Sequence, residues 1–504
     1  RCILPQVQSC PIRVNRGVGP MKRHNVRRQV AVGLFACAAL AAGLFTSAAV
    51  RAQPPLSSAD VTFSRDIAPI LQRSCQECHH ADGVAPMSLM TYEEARPWAR
   101  SIKARTALRS LRGAMPPWFV EKNIGIQKFK NDVSLSDDEV AMIARWADSG
   151  APQGNPADLP APRQFDTSDK WTIGEADLVL RSPEVTVPAV GPDKWTDLGL
   201  IPTGLTEDRY ASAVEVREVN DLPKAGGTNT VGGRFVFHHM TYSSLVPGDR
   251  SAEAAVDEGP TSWPIHEVGR NADFFPPESG RLLAAGSALS LGAGHLHSNG
   301  RLTKSHLEFA FKFFPKGYKP LYKRASMSLG NSIDIDAKPN QPNQELHAYT
   351  VLQEHTKIVT FEPHMHAAGV RMCLEAIWGD DIQTLNCVGY DHNWVKQYVF
   401  SDDSAPLLPK GTIVHLIGTL DTSAANRNVA DPRNWSGNGR RSISQMFSNL
   451  GYAVALSDEQ FQTEMAKRRQ NMKSRNDYDI GCPLCWSPAP PQKSAGTAGP
   501  QGNE

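Results

Sequence analysis

Two groups of residues in this 504-residue chain have the types and spacing to do chemistry. The first is Cys75-Gln76-Glu77-Cys78-His79. Two thiols separated by two residues and followed by histidine form the attachment site of a c-type haem. Each thiol adds across one haem vinyl group, and His79 is delivered under the ring as an axial iron ligand. A bare Cys-x-x-Cys also forms disulfides and half zinc sites, so the flanking sequence decides between them. If the haem carries electrons, its sixth ligand is expected to be a methionine thioether. Met87 lies only eight residues past His79 and stays on the proximal side. Met115 sits in the stiff turn Gly113-Ala114-Met115-Pro116-Pro117-Trp118, 36 residues past His79, with chain enough to reach the distal face. Met115 is therefore the expected ligand; the competing expectation is that Met115 and Trp118 are core.

The second group is a set of histidines and methionines in the C-terminal half: His238-His239-Met240, His295-Leu296-His297, His364-Met365-His366 and the later Met446. Residues i and i+2 share a face of a strand. His364 and His366 can thus hold one metal with Met365 pointing away, and His295 and His297 can do the same or one of them can serve alone. Adjacent His238 and His239 can meet on one ion only at a strand end or a bulge. A single His-x-His pair is more often a pair of solvated strand histidines; three clusters in a chain with 15 histidines carry more weight. Imidazole together with thioether favours copper over zinc, because soft sulfur stabilises Cu(I). No His-Glu-x-x-His occurs: after His266-Glu267 the second histidine position is Arg270, which disfavours hydrolytic zinc.

Several elements must position these residues. Asp66–Leu71 predicts a short helix leading into the haem motif, and Ser136 with Glu139 predicts a capping box opening a second helix that Gly150 and Pro152 stop. A small all-α unit is expected over 60–153 and a Pro/Gly-rich linker over 154–169. From 170 to 460, short β-rich runs between Gly and Pro predict two all-β sandwich domains, 170–335 and 336–460, before a C-terminal tail over 461–504. Residues 1–52 read as a leader: a basic stretch from Met21, an apolar run from Val30 to about Phe45, and Ala49-Val50-Arg51-Ala52 as the cleavage site. Met21 is the expected true start, and no role is assigned to Arg1–Pro20. Cleavage leaves no stable membrane span and places the protein in a bacterial periplasm or outside the cell. The net charge of +1 implies no nucleic-acid partner. Of nine cysteines, Cys373 and Cys387 straddle Gly379-Asp380-Asp381 and predict a cross-strand disulfide. Cys482 and Cys485 lack a following histidine; a structural disulfide is expected, ahead of a redox pair or a metal site.

From about 60 to 460 the chain resembles the copper type II, ascorbate-dependent monooxygenases, the family of peptidylglycine α-hydroxylating monooxygenase and dopamine β-monooxygenase. The resemblance rests on the ordered set His238-His239-Met240, His295 or His297, His364-Met365-His366 and Met446. It also rests on Tyr390-Asp391-His392-Asn393-Trp394, Leu408–Thr412 and Asp421–Asn426, which are similar to bacterial relatives, some with an N-terminal cytochrome c and a Met-Pro-Pro-Trp turn. It implies two jelly-roll-like sandwiches facing a solvent-filled cleft, one copper on each. His238, His239 and His295 would hold the electron-supplying copper, with His297 an auxiliary or substitute. His364, His366 and Met446 would hold the copper at which O2 is activated and an organic substrate hydroxylated. Fused haem c, fed by a periplasmic donor, would replace ascorbate. The rival expectations are a non-catalytic electron-transfer or copper-binding protein on the same scaffold, and a copper-free β-sandwich fused to a cytochrome.

Overall fold

The computed structural model describes residues 61–80, 83, 85, 87–165, 170–221, 235–245, 263–267, 272–325, 329–331, 333–439, 441–472 and 480–485. The expected leader, the Pro223–Gly227 loop and the segment from Ser487 lie outside them. The chain is mostly β-sheet with few helices. Among the described residues, no helix is long and apolar enough to cross a membrane.

The helices gather near the haem motif. Ala68–Ser74 runs directly into Cys75, after a wider turn over Phe63–Ile67. The Asp137–Asp148 helix opens with the expected capping box, Ser136 and Glu139 each holding the other's backbone N–H. It ends where Gly150 adopts φ +89°. Its Ile143 and Trp146 are fully buried against Phe63, Ile67, Leu71 and Ile102. Losing a ring such as that of Trp146 costs about 3–5 kcal/mol. Tyr92–Ala95 and Ala99–Thr106 complete the cluster.

The helical unit expected over 60–153 is not self-contained. Its Val120–Gly125 segment is a strand that pairs with Asp381–Gly389, Val120 opposite Val388. Trp118, Val120, Ile126 and Phe129 are buried in the core of the second β region. The apolar residues after the Met-Pro-Pro-Trp turn join the core of the second β region and not that of the helices.

The first β region packs two antiparallel sheets on a shared core. One contains Arg209–Asn220 and Thr303–Phe313; the other contains Phe237–Leu245 and Ala288–Leu296. Leu307, Phe309 and Phe311 from the first meet Phe237, Met240, Leu289 and Leu291 from the second. In the second region, the five-stranded sheet carries Gly369–Trp378, Asp381–Gly389 and Ile413–Leu420. Gly379 takes φ +63° in its hairpin turn, and Cys373 sits directly opposite Cys387, joined as a disulfide.

Two expectations about the C-terminal part differ from the structure. The apolar run Phe447 to Leu456 is two strands, Phe447–Asn449 and Ala453–Leu456, because Asn449 turns back to accept the Gly451 N–H at 3.0 Å. The expected tail from 461 contains most of a capped helix, Asp458–Asn471, whose Phe461 and Met465 pack with the disulfide-bonded Cys482 and Cys485. Ser457 and Gln460 form its capping box, a legible signal that the Pro/Gly-rich end of the chain obscures.

Candidate metal centre

His238 and His239 meet through a bulge. Along the Phe237–Leu245 strand, His239 lies opposite His295, but Phe237 lies opposite Leu296, leaving His238 as an extra residue on its strand. A bulge of this kind turns a side chain that should face away back towards its neighbour. The Nδ1 atoms of His238 and His239 are 3.1 Å apart. His295 joins them, its ring centre 5.0 Å from each of the other two. One ligand atom from each of the three lies within 4.8 Å of the others. Trp195, opposite His295 on the next strand, stacks on its ring at 4.7 Å with planes 1° apart. Asp193 accepts a hydrogen bond from His295 Nε2 at 3.0 Å, which leaves Nδ1 to face the cluster. His297 is turned elsewhere: its Nε2 donates to the Phe235 carbonyl at 3.1 Å. Met240 is buried in the sandwich core, with its methyl over Gly294.

His364 lies on the Pro363–Met365 strand and His366 just beyond it, ring centres 5.5 Å apart. Met365 between them is buried in the core, pointing away as the alternation requires. His366 Nδ1 donates to the Ser444 carbonyl at 3.2 Å, so Nε2 is its outward nitrogen. The partner strand places Phe447 opposite Met365 and Ser448 opposite His364, so the same run brings Met446 abreast of His366.

The two sets share one cavity of about 470 Å³, lined by His238, His239, His364, His366 and Met446 with Trp195, Ile265, Val395 and Leu450. Its wall also holds His392, a residue that strand periodicity does not single out because it follows the Asp381–Gly389 strand in a turn. The His392 ring centre is 6.2 Å from that of His238 and 6.2 Å from that of His366. Burial, reinforced by neighbouring imidazoles, pushes His238 and His364 down to about 3 and His392 to about 4. Burial also lowers His239, His295 and His366. At neutral pH these rings are uncharged and present lone pairs, the form that binds metal.

The donor set fits a metal ion. Two imidazole nitrogens on one ion, each about 2.0–2.1 Å from it, lie about 2.9–3.4 Å apart at right to tetrahedral angles. The 3.1 Å between His238 and His239 falls in that interval. Nδ1 of His295, of His364 and of His392 is buried without a hydrogen-bond partner in the protein. Buried polar atoms are normally satisfied, and two of these, on His364 and His392, line that cavity, where a ligand would satisfy them. The Met446 thioether beside imidazoles suits copper better than zinc.

The haem motif is also compatible with its group. Cys75 and Cys78 are free thiols, whereas the other described cysteines are paired. Burial pushes the Cys75 thiol up to about 12. His79 Nδ1 donates to the Met87 carbonyl at 3.0 Å, which fixes the ring and leaves Nε2 for an axial bond. Met87 is thereby held on the side of His79. Met115 is 43% exposed, outside the core, and lines a cavity of about 300 Å³ with Trp118, which is itself core.

No protein-family model matches the chain, and no curated protein matches it. Among solved structures it is similar to the cowpea mosaic virus top component, naturally occurring empty particles, at 7% identity, covering 59% of this chain and 97% of that one with a TM-score of 0.25. It is also similar to the N-terminal CBM22-1–CBM22-2 tandem domain of Paenibacillus barcinonensis Xyn10C, at 9% identity, covering 56% and 98% with a TM-score of 0.15. Likenesses at these scores carry no argument about the fold or chemistry of this chain.

Proposed function

We propose that the protein is an exported haem- and copper-dependent oxidoreductase, an O2-dependent monooxygenase that hydroxylates an organic substrate with electrons received through haem c at Cys75, Cys78 and His79. The β regions are read as two jelly-roll-like copper sandwiches and the helices as a cytochrome c unit. The observation that carries the reading is the single cavity lined by two separate histidine sets, with Met446 at the second. His238, His239 and His295 would hold one copper; His364, His366 and Met446 would hold the other. When bound, haem supplies a one-electron reservoir with Met115 as its expected sixth ligand, and copper supplies O2 activation at the second set.

The chain's own residues prepare the site. Asp193 keeps the proton on Nε2 of His295, and the Ser444 carbonyl keeps it on Nδ1 of His366, so each ring offers its other nitrogen. Trp195 clamps the His295 ring. Ile265, Val395 and Leu450 give the cavity an apolar wall that displaces water and suits the hydrocarbon part of a small substrate. Metal analysis of the exported protein is the test, with about one iron and about two copper ions per chain expected. O2 uptake with a reductant then separates the monooxygenase from a non-catalytic electron carrier. That second reading is favoured by one observation, the fifth imidazole, His392, in the cavity wall. A chain that binds no copper would leave only the cytochrome-fused β-sandwich.

A further inference from the structure

The loop that carries Met115 is gripped by the second β region. The Arg112 guanidinium donates to the Asn426 side-chain oxygen. The Gly113 N–H donates to one Asp391 carboxylate oxygen at 3.1 Å, while the other accepts the Asn393 N–H, also at 3.1 Å. Beyond the turn, the Phe119 carbonyl accepts the Gly389 N–H at 2.9 Å, and the Phe119 N–H donates to the Tyr398 hydroxyl at 3.2 Å. The two segments lie so close that a Cβ at Gly389 would fall 1.8 Å from the Ser110 carbonyl oxygen. The helical unit holds the same loop through Arg105, whose carbonyl accepts the Met115 N–H and whose guanidinium donates to the Gly113 carbonyl, each at 3.2 Å.

The partners in the β region are themselves fixed. Asn426 is buried, and its amide donates to the Ala367 and Asp421 carbonyls at 3.2 and 2.8 Å. Asp391 is buried just past the Asp381–Gly389 strand, and its carbonyl accepts the Trp394 N–H at 3.0 Å. Five residues on, the Lys396 ammonium lies 5.5 Å from the Trp118 ring centre and within electrostatic reach of Cys78. The Met-Pro-Pro-Trp turn is thus set beside the haem motif. Resting on the reading of Met115 as the sixth haem ligand, we infer that Asp391 and Asn426 are positioning residues for that ligand. Through these two side chains the second β region holds the Met115 loop closed on the iron. Loss of a contact that orients a metal ligand typically weakens the ligand 10–100-fold. Freeing the loop therefore lets an added ligand displace Met115 more readily, with the haem still attached.

The test uses the full-length, haem-loaded ferric protein. Imidazole is titrated in and its binding read at the haem absorption bands, and the red charge-transfer band reports the Met–iron bond. Wild type is compared with Asp391→Ala, Arg112→Ala, Arg112→Lys and Met115→Ala. Arg112→Ala releases the contact with Asn426 while leaving the buried bonds of Asn426 in place. A hydrogen bond to a charged group corresponds to about tenfold or more in an equilibrium. Asp391→Ala and Arg112→Ala should therefore each bind imidazole about tenfold more tightly, as the fraction with Met115 off the iron rises. Arg112→Lys keeps a cation facing Asn426 and should recover most of the difference. Met115→Ala should bind imidazole more tightly still and lack the red band. Unchanged affinity in both Asp391→Ala and Arg112→Ala, with Met115→Ala altered, would overturn the inference and leave the Met115 reading intact. A Met115→Ala protein that matches wild type overturns both. Asp391→Ala and Arg112→Ala act from opposite sides of the contact, so if one misfolds the other still decides.

Discussion

Replacing Asp193 by Asn tests how the first histidine set is organised. The exchange alters one atom and keeps the shape, but it removes the charge that accepts the His295 Nε2–H at 3.0 Å. A hydrogen bond to a charged group contributes about 1.5–3 kcal/mol, against about 0.5–1.5 for a neutral pair. The difference is therefore about 1–1.5 kcal/mol, close to tenfold in affinity. Loss of a carboxylate partner behind a metal-bound histidine typically costs 10–100-fold. Asp193 is 58% exposed, so solvent weakens its charge and the lower end of that range applies. The Trp195 stack still holds the ring plane, which further limits the loss. Competition with a chromophoric Cu(I) chelator should show about tenfold weaker binding at one of two sites in Asp193→Asn, and complete loss of that site in His295→Ala. An effect below twofold in Asp193→Asn, with loss in His295→Ala, would refute the orienting role. Retention of the site in His295→Ala, with loss in His297→Ala, would refute the choice of His295.

Three further outcomes follow from particular contacts. Met446→Leu conserves volume and should cost less than about 1.5 kcal/mol of stability by chemical denaturation, yet it should weaken Cu(I) binding and O2 consumption; unchanged Cu(I) affinity would make Met446 packing alone. Met115→Ala should leave haem attached but lower its reduction potential, because thioether ligation raises it; an unchanged potential and red charge-transfer band would point to another sixth ligand. Glu464, partly buried yet bonded to Lys467 and Lys357 at 2.8 and 2.9 Å, is held down at about 2 despite the opposing effect of burial. A carboxylate lowered on folding stabilises the protein above its unfolded pKa and loses that contribution as pH falls through the folded value. The contribution should be present above about pH 4.5, worth up to about 3 kcal/mol, and gone below about pH 2. Stability curves of wild type and Glu464→Gln should separate above pH 4.5 and converge in acid; parallel curves across that range would refute the assignment.

Local signals were readable without coordinates wherever the physics is local. The Ser136–Glu139 box spans one helical turn, the Cys373–Cys387 pairing follows from symmetry about a two-residue hairpin, and Met365 alternates away from His364 and His366. The need for a bulge at His238–His239 is also a local statement, since adjacent residues of a regular strand face opposite ways. What tertiary structure decided depends on residues far apart in the chain. His295 rather than His297 faces the cluster because Asp193 and Trp195, about a hundred positions earlier, seize one ring while the Phe235 carbonyl takes the other. The segment after Met115 leaves the helical unit because a distant strand edge buries its apolar face. His392 has no period and no pair in the sequence. It becomes a fifth imidazole of the cavity only when two β regions close on it, because side-chain convergence is a property of packing and not of spacing along the chain.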